Sequence, residues 1–180
     1  MKRFLLTCFL TLILFENSKS QALGFALADG KKVVEIPIQI QNNLIVVPVV
    51  LNDVLPLKFI VDTGVRTAIL TQKAFSDILQ LPYNRKYSVS GPGGEKLIDA
   101  YVTNNVSIAL PGVTGKGHAL LVLEEDYLEL RNFLGTDVHG ILGYELFSRF
   151  IVKLDYSKKV MTLTLPEKFA LPTLDTKRGP

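Results

Sequence analysis

Apolar runs of strand length recur along the chain between turn signals: Val33 to Ile40, Leu44 to Leu51, Leu57 to Val61, Tyr87 to Ser90, Leu97 to Leu110 and Ala119 to Leu123. Such runs, rich in β-branched residues, predict a mainly β protein. Asn42-Asn43 and Asn52-Asp53 read as tight turns, and Pro111-Gly112 and Gly115-Lys116-Gly117 break the later runs, so hairpins are expected to join neighbours. Two short helices are expected outside the sheet, one from Gln72 to Leu79 capped by Thr71 and one within Glu124 to Phe133. Phe150 to Asp155 and Val160 to Leu165 flank the polar turn Tyr156 to Lys159 and predict a closing hairpin. Beyond Pro166 the periodicity fades, so residues 167–180 read as a tail or linker.

The first residues follow a different pattern. Lys2 and Arg3 precede an apolar run from Phe4 to Phe15, and Ser18-Lys19-Ser20 supplies the small residues that a signal peptidase reads. Residues 1–20 therefore read as a signal peptide cut before Gln21, predicting export to the periplasm or the medium. The run falls short of the about 20 apolar residues that span a bilayer, and no later run reaches that length, so no membrane span is expected. One domain over residues 30–166 accounts for the remainder. Cys8, the only cysteine, lies in the leader, leaving the mature chain to build its core without a disulfide.

The full chain carries a formal charge of +3; losing Lys2, Arg3, Lys19 and Glu16 with the leader brings this to +1. Its basic residues are scattered, without the aromatic interleaving of a base-stacking surface, and no nucleic-acid partner is expected.

Candidate chemistry centres on Phe59-Ile60-Val61-Asp62-Thr63-Gly64, an apolar strand ending in a carboxylate, a hydroxyl and a glycine. A strand apolar on both faces is expected to be buried, so its terminal Asp has to be paired, hydrogen-bonded or protonated to offset desolvation. Further along, Tyr87-Ser88-Val89-Ser90-Gly91-Pro92-Gly93-Gly94-Glu95 is a short strand breaking into glycines, which suit a mobile hairpin tip. A third segment, His139-Gly140-Ile141-Leu142-Gly143-Tyr144-Glu145-Leu146-Phe147, precedes Phe150 to Tyr156.

In that order, and covering roughly residues 33 to 165, these three segments resemble the retropepsin-like aspartic proteases, and most of all their exported bacterial members. The resemblance implies an acid-protease lobe, a closed or partly closed β-barrel with one or two short helices. It implies Asp62, Thr63 and Gly64 as the catalytic triplet. Ser90, Gly91, Gly93 and Gly94 would form a flap over a bound peptide. Ile141, Leu142 and Gly143 would pass beside the Asp62 loop and hold it rigid. Members with one triplet per chain act as homodimers, so the partner would be a second copy or a second lobe, and the substrate a peptide or protein.

Many active members follow the triplet with Ala or Ser and then Ser, Thr or Asp, where this chain has Val65 and Arg66. Arg66 would either sit near the carboxylate pair, favouring its doubly ionised form, or point outward to bind a substrate carboxylate or an Asp of the partner lobe. The alternative implied is an inactive lobe that binds peptide or serves structurally, or half of a two-lobed enzyme. No metal or cofactor is expected. His118 and His139 are the only histidines, without zinc-site spacing or a Gly-x-Ser-x-Gly elbow for a serine triad. Glu124-Glu125-Asp126 reads as an acidic helix start.

Overall fold

The computed structural model describes residues 23–90 and 97–169. In the first half lie strands β1 (Gly24–Leu27), β2 (Val33–Pro37), β3 (Gln39–Gln41), β4 (Leu44–Leu51), β5 (Leu55–Val61) and β6 (Ala68–Leu70), helix α1 (Lys73–Ile78) and strand β7 (Arg85–Ser90). Strands β8 (Leu97–Val106), β9 (Ile108–Ala109), β10 (Val113–Lys116) and β11 (His118–Leu123) follow, then helix α2 (Leu130–Leu134). Strand β12 (Gly140–Leu142), helix α3 (Tyr144–Phe147), β13 (Ile151–Asp155) and β14 (Val160–Thr164) complete the order. The signal peptide and most of the tail expected from the sequence lie outside the described residues.

The protein is mainly β. Its largest sheet runs β3-β4-β5-β12-β6-β11-β8-β7, with β9 beside β4; the path does not return on itself, giving a partly closed barrel. Strands β13, β14 and β2 form a second sheet, and β1 pairs with β10.

Continuous apolar runs arise because the central strands are covered on both faces. Val47 and Val49 of β4 oppose Phe59 and Leu57 of β5 and belong to the main core. The alternate pair, Val46 and Ile60, packs with Leu134 and Val138 beneath α2. Asn42 and Asn43 both have positive φ, 46° and 64°, the backbone of the tight β3–β4 hairpin turn.

Several boundaries differ from those the pattern predicts. The run Val33 to Ile40 divides between two sheets: β2 pairs with β14 and β3 with β4, and the Ile38 N–H between them donates to Lys159 rather than to either ladder. Leu97 to Leu110 divides at Ser107, two residues after Asn105, whose φ is 61°, and Asn52 Oδ1 accepts from the Ser107 N–H as β9 turns onto β4. Gly115 and Lys116 form strand rather than break it; a Cβ at Gly115 would meet the His118 ring, the Ile108 carbonyl and Phe25 within 2.6 Å. Residues 124–129 bend irregularly, and helix follows only from Leu130. Thr71 does not cap α1: its hydroxyl donates to the His139 carbonyl at 3.0 Å, and Gln72 occupies the cap position.

Candidate functional site

Strands β5 and β6 are consecutive in the chain yet do not pair. Strand β12 lies between them, parallel to β5 through Gly140↔Phe59, Ile141↔Ile60 and Leu142↔Val61, and antiparallel to β6. Residues 62–67 must therefore cross over the end of β12. The Asp62 N–H donates to the Leu142 carbonyl at 2.9 Å, and the Tyr144 N–H donates to the Val65 carbonyl at 2.7 Å. Between these two bonds, Gly143 lies so close that a Cβ there would stand 2.1 Å from the Val65 oxygen and 2.3 Å from the Asp62 oxygen. Backbone contact of this kind requires a residue without a side chain.

The loop presents its side chains outward. Asp62, Thr63, Gly64 and Arg66 are exposed in the single chain, unlike the buried carboxylate expected from the strand, because the apolar ladder ends at Val61. Asp62 Oδ1 accepts the Gly64 N–H at 2.8 Å, which orients the carboxylate within its own loop. Thr63, Gly64, Arg66 and Tyr144 line an open depression of ≈ 350 Å³. The sequence does not mark Tyr144 as a site residue; its place directly after the glycine that locks the loop is the available signal. Ser90 ends the described arm of the β7–β8 hairpin, paired with Leu97, while Gly91, Gly93 and Gly94 lie outside the described residues.

Two histidines bond to the elements around the loop, one at the start of β12 and one at α3. His139 immediately precedes β12; its Nδ1 accepts the Lys58 N–H at 3.1 Å, and its ring meets Phe75 edge-on at 4.9 Å. Accepting that bond requires the neutral ring, and burial holds the imidazole below its ordinary value, opposed by the negative charge of Asp137. The unfolded chain binds a proton near pH 6.5 that the folded chain resists, so stability is full above that pH and falls as pH drops toward the folded value. Urea unfolding at pH 7.5 and 5.5 is expected to show this loss, and His139→Asn to reduce it. Equal losses in both proteins would assign it to other groups.

His118 is buried at the start of β11, with Nδ1 bonded to Glu145 Oε2 of α3 and its ring on Phe25 at 4.2 Å. Among the described residues its Nε2 has no polar partner. Glu145→Ala would leave both ring nitrogens unsatisfied and is expected to cost about 1.5–3 kcal/mol in urea unfolding, with Glu145→Gln recovering much of it. If Ala and Gln variants unfold alike, the bond contributes nothing. Among the described residues, no group of three or more His, Cys, Asp or Glu side chains is placed to hold a metal ion, and no helix is long and apolar enough to cross a membrane.

A carboxylate loop crossing the end of an inserted strand, locked by a glycine of the next turn, defines a retropepsin-like lobe. A family model described as aspartyl protease matches residues 47–146, spanning both the loop and the glycine, and the chain belongs to that family. No curated protein matches it. Among solved structures, a retropepsin-like aspartic protease from Rickettsia conorii matches at 22% identity and a TM-score of 0.47, over 81% of this chain and 96% of that one.

Proposed function

We propose that this chain is an exported aspartic endopeptidase that hydrolyses peptide bonds with water activated by two Asp62 carboxylates, one from each of two lobes. The observation that carries the reading is the state of the Asp62 loop: it is held by backbone bonds to Leu142 and Tyr144, yet Asp62 is exposed. Rigid placement of an accessible acid is what a catalytic constellation needs from its supporting elements. With one triplet in this sequence, the second carboxylate is proposed to come from another copy or from a second lobe.

Two such carboxylates share one proton, since like charges in contact cannot both ionise cheaply. The ionised member takes a proton from water as it attacks the peptide carbonyl. The protonated member polarises that carbonyl, and a proton then passes to the leaving nitrogen. Thr63 of each copy ties the two loops together, and Gly64 gives the turn that aims Asp62. Ile141, Leu142 and Gly143 support the loop from beneath. Ser90, Gly91, Gly93 and Gly94 close over an extended peptide bound largely through its backbone.

The test is cleavage of a diverse peptide mixture by the purified chain from acidic to neutral pH, with the chain diluted stepwise. Turnover per chain is expected to fall on dilution as the pair dissociates. Concentration-independent turnover by a sedimentation monomer would rule out the paired site. Tight peptide binding without turnover at any concentration would point instead to a peptide-binding lobe. Export is tested separately by the N-terminus of the chain recovered outside the cytoplasm, expected at Gln21.

A further inference from the structure

We infer that Arg66 and Tyr144 form a subsite that selects substrates with an acidic side chain, Asp or Glu, beside the scissile bond. The inference rests on the proteolytic reading above and adds a substrate class to it. Arg66 is exposed and, among the described residues, is the only charged side chain lining the ≈ 350 Å³ depression, together with Thr63, Gly64 and Tyr144. Because the Gly64 N–H is bonded to Asp62 Oδ1 at 2.8 Å, a group seated there is next to the reacting carboxylate.

The other described arginines are engaged. Arg85 donates to the Tyr87 hydroxyl at 3.3 Å, Arg131 pairs with Asp137 at 3.1 Å, and Arg149 donates to the Leu23 carbonyl at 3.0 Å. Arg66 has no hydrogen bond or ion pair among the described residues, and none with Asp62 despite its place in the same loop. The backbone beneath it is nonetheless fixed, because the Val65 carbonyl accepts from Tyr144 and the Val65 N–H donates to Asp62. An uncommitted guanidinium on a fixed base retains its donors for a ligand.

The lining selects by charge. A guanidinium presents a planar fork of donors that matches a carboxylate with two parallel bonds. The Tyr144 hydroxyl adds a donor, and among the described residues no carboxylate lines the depression itself. A lysine placed there would meet like charge, and a glutamine would leave part of the fork unused. The site is open, so its selectivity is expected to be modest and to weaken as salt screens the pair.

The test separates binding from turnover. Short peptides blocked at both ends, identical except for Glu or Gln at one position and scanned through the sequence, are titrated by fluorescence anisotropy against full chain carrying Asp62→Asn. At one register the Glu peptide is expected to bind about tenfold more tightly at low salt, as for a hydrogen bond to a charged group. Adding Arg66→Gln should erase the difference, and Arg66→Glu should turn it toward the matching Lys peptide. Equal binding of Glu and Gln peptides at every register, a preference that survives Arg66→Gln, or no binding at all would overturn the inference. Cleavage by the unsubstituted chain is measured alongside: turnover without acid preference defeats the subsite alone, and acid-selective binding without turnover defeats the protease reading alone.

Discussion

Gly143→Ala is expected to destabilise the chain by about 1–3 kcal/mol, the usual cost of forcing extra atoms into a filled site, and to depress turnover far more steeply. The added Cβ would stand 2.1 Å from the Val65 oxygen and 2.3 Å from the Asp62 oxygen, with the Val65 carbonyl carbon at 3.0 Å. All three are backbone atoms, so no side chain can rotate out of the way. Either the 62–67 loop retreats or the Leu142–Tyr144 turn does, and both movements strain the 2.9 Å Asp62–Leu142 and 2.7 Å Tyr144–Val65 bonds. A displacement of about 1 Å at a reacting group can cost around 10²-fold in rate, so the activity loss should exceed what lost stability explains. Gly64→Ala is the contrast, since its Cβ would meet nothing closer than Asp62 Oδ1 at 3.3 Å. Urea midpoints and turnover of both variants check the claim; a Gly143→Ala protein as stable and active as the parent would remove the close approach from the account.

Asp62→Asn separates chemistry from folding. Asp62 is exposed, and among the described residues its carboxylate accepts one hydrogen bond, from the Gly64 N–H, which an amide oxygen can also accept. Stability is therefore expected to stay within about 0.5 kcal/mol of the parent, as for surface substitutions generally. Turnover should fall by roughly 10²–10⁴-fold or more, because the amide can neither accept the proton from water nor share one across the pair. A large drop in the unfolding midpoint would mean that Asp62 has a structural role that the loop geometry does not reveal.

The parts of the fold legible in the sequence were those set by local pattern. Asn42-Asn43 announced a hairpin because a two-residue turn needs positive φ at both positions, and the β13–β14 hairpin followed from two apolar runs around Tyr156 to Lys159. What escaped was decided by distant partners. Nothing in Val33 to Ile40 says that Ile38 bonds to Lys159, which splits the run between two sheets. Gly115 looked like a breaker because its reason for being glycine, the close approach of His118, Ile108 and Phe25, is tertiary. Thr71 looked like a helix cap because no local signal reveals its bond to His139.

At the site, the triplet and the Ile141-Leu142-Gly143 segment stood out as motifs, and in the structure they are adjacent. The exposure of Asp62 did not stand out, since apolar residues before it say how the strand is covered and nothing about where its cover ends. Tyr144 and the direction of Arg66 were equally hidden: their shared depression exists only once β12 is wedged between β5 and β6.

Mixing parent and variant chains reads out whether two Asp62 carboxylates from different chains make one site. Parent chain and Asp62→Asn chain are combined at fixed total concentration, allowed to exchange subunits, and assayed for peptide cleavage. If each site needs both carboxylates, mixed pairs are dead and activity follows the square of the parent fraction, so an equal mixture retains about a quarter of it. Activity falling in simple proportion, or a parent chain with no turnover to dilute, would contradict the account.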